Sequence, residues 1–300
     1  MSHFSLAGIQ MPVSIRDDNV AVMERYASHI RNRFPWVKML LFPELAVYGP
    51  DPAKAVELPG AVEARLCDIA ARHGLWLIPG SLFERRGEQI FNTTPVIRSD
   101  GTVIARFSKL FPFRPYEQGI SAGKDFVVFD VPEAGRFGIS ICYDMWFPET
   151  TRQLTAMGAE VILHPTMTDT IDRDIELSIA KASAAINQCY FFDINGVAAG
   201  GCGRSIVVDP SGYVLHEADC SPQFIPIEID FARVRRERER GVRGLGQPLK
   251  SFRDRDVEFP VYQRDAQTSA FLATLGPLVK PDEMMDEPNC AQGPGGVLPA

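Results

Sequence analysis

Short apolar runs separated by helix-length stretches constrain this chain most, because a run apolar on consecutive residues has to be covered on both faces. Residues 4–10, 37–42 and 76–81 read as such strands, with 19–32 and 61–73 between them at helical spacing. Residues 91–97 and 102–107, joined by Ser99-Asp100-Gly101, read as an antiparallel pair. The second half repeats the style, with strands at 127–131, 136–142, 160–164 and 190–195 and helices at 148–157 and 174–188. A second hairpin, 204–208 and 213–217, turns at Asp209-Pro210-Ser211-Gly212. Two β-rich halves with covering helices predict an α/β fold, α+β in its layering, as one layered sandwich domain over residues 1–280. Residues 281–300 mix acidic, Gly and Pro residues without apolar period, and are expected to be a C-terminal tail, disordered or at an oligomer interface.

The chain has 300 residues, enough to bury a full core. Its formal net charge of -7 argues against nonspecific binding of nucleic acid or an anionic membrane, which needs clustered Lys and Arg. The one basic cluster, 233–243, alternates Arg with Glu and reads as a solvated helix. No apolar stretch approaches the roughly 20 residues that span a bilayer. The start of the chain lacks the basic and apolar regions of a signal peptide. Six scattered cysteines, without close pairs, fit a reduced cytoplasmic setting and not a zinc site. The five scattered histidines also offer no spaced ligand set, so no metal and no cofactor is expected.

Three apolar runs end on a reactive or charged residue: Glu44 after Phe42-Pro43, Lys109 after Phe107-Ser108, and Cys142 after Ser140-Ile141. Taken singly, each has a bland reading, as a cap, a surface lysine or a core thiol. Taken together they form a set able to do acyl transfer without a metal. A cysteine attacks as thiolate and needs a base, which Glu44 supplies. Attack builds negative charge on oxygen or nitrogen, which the Lys109 ammonium and the backbone N–H after Cys142 can hold.

These residues and their surroundings resemble the carbon–nitrogen hydrolase (nitrilase) superfamily. Phe42-Pro43-Glu44 resembles its first motif. Ser108-Lys109-Leu110, continuing through Glu117 to Gly123-Lys124-Asp125-Phe126, resembles the second, and Cys142-Tyr143-Asp144 through Phe147-Pro148-Glu149 the third. Further similarity lies in His164-Pro165-Thr166, Asn187, Gly203-Arg204-Ser205 and 208–212. The resemblance implies a four-layer α-β-β-α sandwich, with Glu44, Lys109, Cys142 and Glu117 as catalytic residues. It also implies a homodimer or higher even-numbered homo-oligomer, to which the helix after Pro148 and the tail are candidate contributors. Tyr143-Asp144 is similar to the amidase and carbamoylase branches, whereas nitrilases usually carry Trp-Glu there. The Arg and Glu that the family often shows just before the equivalent of Asn187 are replaced by Ser183, Ala184, Ala185 and Ile186.

A small-molecule amide is therefore the expected substrate, cleaved to carboxylate and ammonia through a thioester. An N-carbamoyl amine, a nitrile and a non-catalytic scaffold role are the alternatives. Substrate-binding candidates lie beside the motifs: Tyr48, Arg114, Tyr116, Tyr143, Trp146, His164 and Thr166. An arginine at 114 could clamp a carboxylate with two hydrogen bonds, and His164 reads more readily as a structural hydrogen-bonder. Asp169, Asp172 and Asp174 read as solvated or capping residues.

Overall fold

A computed structural model of the chain describes residues 3–263 and 270–280. They divide into two compact units, one of residues 3–112 and 119–255, the other of 113–118, 256–263 and 270–280. The expected tail at 281–300 lies outside the described residues.

In the first unit the order in space of the main sheet is Gln223–Asp230, His3–Gln10, Met39–Leu41, Trp76–Ile78, Gln89–Ile97 and Leu82–Arg86, with Val103–Ser108 and Ile120–Ser121 also paired to Gln89–Ile97. The second sheet runs Val214–Glu217, Ile206–Val208, Tyr190–Asn195, Val161–Thr166, Gly135–Ile139 and Val127–Val131. Each sheet holds three adjacent parallel strands. In the main sheet these are His3–Gln10, Met39–Leu41 and Trp76–Ile78, and in the second Gly135–Ile139, Val161–Thr166 and Tyr190–Asn195.

Alternation of side chains along these strands builds the layers. Met39 and Leu41 face a core shared with Val161 and Leu163 of the other sheet. Leu40, between them, faces outward onto Met23, Ala27 and Ile30 of helix α1 (Asn19–Arg33) and Leu66 and Ile69 of α2 (Ala61–His73). Ile162 likewise faces Leu154 of α3 (Pro148–Ala156) and Leu177, Ala180 and Ala184 of α4 (Asp172–Asn187). The result is the expected helix, sheet, sheet, helix sandwich. Helix α5 (Phe231–Arg240) inserts Phe231 and Val234 into the inter-sheet core, and α6 is Pro248–Arg253.

Two expectations change. The 233–243 cluster is not simply a solvated helix: Arg235 pairs with Glu160 at 2.8 Å and Arg238 donates to the Gln188 carbonyl at 3.1 Å. The strand expected through residue 142 ends at Ile139, and Cys142 opens a 3-10 helix, Cys142–Trp146. The strand Leu82–Arg86 was not evident in the sequence because its charged residues hide the period; Glu84 is buried there and paired with Arg86.

The second unit contains short 3-10 turns at Pro260–Tyr262 and Leu272–Leu275. Within it, the Phe113 backbone N–H donates to Glu117 Oε2 at 2.6 Å, and the Phe113 and Tyr116 rings stack at 4.9 Å.

Gly80, two residues past the strand Trp76–Ile78, lies against the turn carrying Glu44. It has φ +75°, and a Cβ there would lie 1.7 Å from the Pro43 carbonyl oxygen. Gly74, also at positive φ, has nothing within 4 Å of its would-be Cβ. Gly80→Ala is therefore expected to lower unfolding free energy by roughly 2 kcal/mol or more. Gly74→Ala should cost only about 1 kcal/mol, the left-handed penalty alone. Urea denaturation of the two variants checks this; equal losses would remove the close approach as a constraint.

Candidate active site

The site lies at the carboxyl ends of the parallel strands, where side chains and turn backbone are free of the sheet ladder. Glu44 sits in the turn after Met39–Leu41, and its backbone N–H donates to the Thr166 carbonyl at 3.2 Å, at the end of Val161–Thr166. The turn is held further by Leu45 N–H, donated to Ser81 Oγ at 2.9 Å. Lys109 directly follows Val103–Ser108.

Sixty-five residues apart in sequence, Glu44 and Lys109 form an ion pair of 2.9 Å, both 1% exposed. Asn92, fully buried on Gln89–Ile97, links them: its side-chain amide donates to Glu44 Oε1 at 2.7 Å, and its carbonyl accepts the Lys109 N–H at 2.8 Å. The carboxylate and ammonium neutralise each other in a buried setting, an arrangement that removal of one partner would leave as an uncompensated charge.

Cys142 holds φ +47°, a conformation costly for a residue with a Cβ. The neighbouring Asp144 fixes it. Asp144 is fully buried; its Oδ2 accepts the Ile141 N–H at 2.9 Å, and its Oδ1 accepts the N–H groups of Leu110 and Phe111 at 3.0 and 2.8 Å. One carboxylate thus ties the cysteine turn to the segment that follows Lys109. Burial pushes the Asp144 carboxyl up to about 7, against the pull of its backbone N–H partners.

Cys142 Sγ is 4.0 Å from the Met167 carbonyl oxygen and 3.9 Å from Thr168 Oγ1. Burial, and next the Glu44 carboxylate, raise its thiol well above the ordinary value, while Lys109 pulls it down. The group is therefore a thiol at neutral pH.

The other expected residues divide by place. Thr166 is buried and receives Glu44 through its backbone. His164 is buried, with Nδ1 2.7 Å from Ser140 Oγ and its ring 5.2 Å from that of Phe191; burial lowers it to about 4, so it is neutral at pH 7. Tyr143 and Trp146 lie half-buried on the 3-10 helix with ring centroids 6.1 Å apart. Tyr48 packs partly buried against the layer of α1 and α2. Arg114, Tyr116 and Glu117 belong to the second unit, where Arg114 donates to the Glu117 carbonyl at 2.5 Å.

Sequence reasoning missed a buried charged cluster on α4. Arg173 and Glu176, each 2% exposed, pair at 3.1 Å, and Arg173 also pairs with Asp193 of Tyr190–Asn195 at 2.9 Å. Glu176 Oε1 accepts from Thr168 Oγ1 at 3.1 Å and from Trp146 Nε1 at 3.4 Å. The signal was present: residues 173, 176, 177, 180 and 184 follow one helical face. Asp174, by contrast, is exposed and pairs with Arg204. Among the described residues no group of three or more His, Cys, Asp or Glu is placed to hold a metal ion, and no helix is long and apolar enough to cross a membrane. A cleft lined by His3, Arg31, Lys38, Trp76 and Arg98 opens at the opposite, amino ends of the parallel strands and contains none of these groups.

The model of the carbon-nitrogen hydrolase family matches residues 5–239, and the chain belongs to that family. Omega-amidase NIT2 of Homo sapiens is 29% identical over 255 residues, covering 78% of this chain and 91% of the relative. The 2-oxoglutaramate amidase of Bacillus subtilis is 28% identical over 211 residues, 67% of this chain and 81% of the relative. An amidase from Nesterenkonia sp. has a similar structure, with a TM-score of 0.71 at 25% identity over 79% of this chain and 94% of that one.

Asp144→Asn keeps the shape but turns an amide N–H₂ toward a backbone N–H donor. It is expected to cost about 1–3 kcal/mol of stability. Because Asp144 ties the Cys142 turn to the Lys109 segment, ammonia release should fall along with it. Denaturant midpoints and turnover measured on the same preparation check both; an unaltered enzyme would show that the three N–H bonds do not set the site.

Proposed function

We propose that this carbon–nitrogen hydrolase is an amidase that cleaves a small carboxamide to carboxylate and ammonia through a thioester on Cys142. The observation that carries the reading is the buried 2.9 Å Glu44–Lys109 pair acting electrostatically on a thiol held in a strained turn. The omega-amidase and amidase names of its relatives support the substrate class.

In the proposed sequence Glu44 takes the Cys142 proton as sulfur attacks the amide carbon. The Lys109 ammonium and the Tyr143 backbone N–H stabilise the tetrahedral oxyanion. Glu44 returns the proton to the departing nitrogen, and ammonia leaves. The same carboxylate then removes a proton from water, which opens the thioester and restores the thiol. A raised thiol suits this scheme, since proton removal coupled to attack needs a base beside the sulfur. Glu117 joins the catalytic set, and Arg114 and Tyr116 the substrate-binding set, on the motif resemblance. Tyr143 and Trp146 are proposed to contact substrate from the 3-10 helix, and His164 and Thr166 to shape the site from the strand end.

Self-association in even numbers is part of the proposal. Ile175 and Ile186 stay exposed on α4, with Ile171 just before it, and support burial of this helix against a second copy. The free cysteines among the described residues suit a reducing cytoplasm.

The test is ammonia release from small amides, ω-amides of dicarboxylates, N-carbamoyl amines and nitriles, with wild type and variants side by side. Cys142→Ala and Glu44→Gln are expected to lose roughly a thousandfold or more in turnover, because residues acting as a unit fail together. Amides should be preferred, chelators should leave turnover unchanged, and thiol alkylation should abolish it. Full activity in Cys142→Ala would overturn the reading, and carbon dioxide released with ammonia would move it to the N-carbamoyl class.

A further inference from the structure

The polar residues on the Met167–Thr168 side of Cys142 form a chain that the proposed mechanism does not use. Thr168 Oγ1 stands between two groups, 3.9 Å from Cys142 Sγ and 3.1 Å from Glu176 Oε1. A threonine hydroxyl has one proton, and an ionised carboxylate, the form Glu176 takes above about pH 7, can only accept. The Thr168 proton is therefore committed to Glu176, and what the hydroxyl turns toward sulfur is a lone pair. The thiol proton is the group able to meet it.

Resting on the reading of Cys142 as nucleophile, we infer that Thr168 and Glu176 are positioning residues: Glu176 orients the Thr168 hydroxyl, whose oxygen then fixes the rotamer and proton direction of the Cys142 thiol before attack.

Three observations support this over a purely structural role. First, the Thr168 backbone is held independently of its side chain. Its N–H donates to Asn195 Oδ1 at 3.0 Å, and its carbonyl accepts from Asn195 Nδ2 at 2.8 Å and from the Cys202 N–H at 3.0 Å. The hydroxyl is not needed to keep the loop in place. Second, Glu176 is a costly way to fill space. Two carboxylates, Glu176 and Asp193, share one guanidinium, Arg173, with all three at most 2% exposed; a neutral residue would avoid the surplus buried charge. Third, Trp146 Nε1 donates to the same Glu176 oxygen as Thr168 Oγ1, so the carboxylate that orients Thr168 is itself held by a second donor, from the 3-10 helix that Cys142 opens.

The charge has a direction of effect. The groups around Glu176 are Arg173 on its own helix, Asp193 on the neighbouring strand, Thr168, and Trp146 and Cys142 on the 3-10 helix; Glu44 and Lys109 also act on the sulfur. Glu176 adds to the forces that keep the thiol protonated. Its carboxyl is itself raised to about 7, by burial first and then by Asp193. Removing its negative charge should therefore lower the thiol, shifting reactivity toward acid.

The experiment compares wild type, Thr168→Ser, Thr168→Val, Glu176→Gln and Cys142→Ala. Two quantities are read: kcat and KM for a small amide that wild type hydrolyses, and the pH profile of Cys142 alkylation by iodoacetamide, followed on the Cys142 peptide by mass spectrometry. Thr168→Val is expected to lower kcat about 10- to 100-fold with KM changed far less, because geometry of attack and not binding is lost. Thr168→Ser should recover most of that loss. Glu176→Gln should move the alkylation profile to lower pH. Wild-type kcat in a folded Thr168→Val, or an alkylation profile unmoved in Glu176→Gln, would overturn the inference. If Glu176→Gln does not fold, the Thr168 series still decides. Turnover by Cys142→Ala would instead refute the nucleophile reading, so the two failures are distinguishable.

Discussion

The site depends on one buried carboxylate. Asp144 gathers three backbone N–H groups, from Ile141 on the cysteine turn and from Leu110 and Phe111 just after Lys109. These segments come from opposite sheets of the sandwich, and the bonds fix their separation. Without such an anchor, Cys142 would have little reason to remain at φ +47°, and the following residues would be free to relax toward an ordinary turn. The strain is sustained because surrounding hydrogen bonds determine the backbone more strongly than the residue's own preference.

A second constraint acts from the main sheet. Asn92 reaches Glu44 with its side chain and Lys109 with its backbone, so the carboxylate and the ammonium share one support. Glu44 is fixed in turn to the second sheet through the Thr166 carbonyl. Each of the three central residues is thus located by contacts that cross between strands far apart in sequence, just past strand ends where a sandwich leaves backbone and side chains available. A buried ion pair beside a protonated thiol is a poor arrangement for stability alone. It is well suited to a reaction in which a proton is moved as charge develops on the substrate.

Much of this was legible in the chain. Alternation such as Met39-Leu40-Leu41 and Val161-Ile162-Leu163 carries the layering directly, since each residue's facing follows from period two. The helix at 61–73 was readable from its helical spacing, and Gly60 and Gly74 cap it in the structure. Glu44, Lys109 and Cys142 stood out because each ends an apolar run. What stayed hidden depends on partners distant in sequence. Asn92 looks like any polar residue in a strand until its two neighbours are known. Arg173 and Glu176 are charged and so do not register as buried by hydropathy, although they share the buried face of α4 with Leu177, Ala180 and Ala184. The strand end at Ile139 was misjudged by three residues, since Ser140-Ile141-Cys142 continues the apolar alternation while Asp144 turns the backbone.

If Cys142 carries the acyl group between two half-reactions, as proposed, that group can be trapped on its sulfur. The most direct measurement is an acid quench of the wild-type enzyme during turnover of a small amide, with peptide mass spectrometry and with hydroxylamine added in a parallel sample. An acyl adduct is expected on the peptide containing Cys142, absent in Cys142→Ala, with a hydroxamate formed from the same acyl group when hydroxylamine competes with water. Sustained turnover with neither adduct nor hydroxamate would contradict the proposal, since the acyl group would then never have been bound to sulfur.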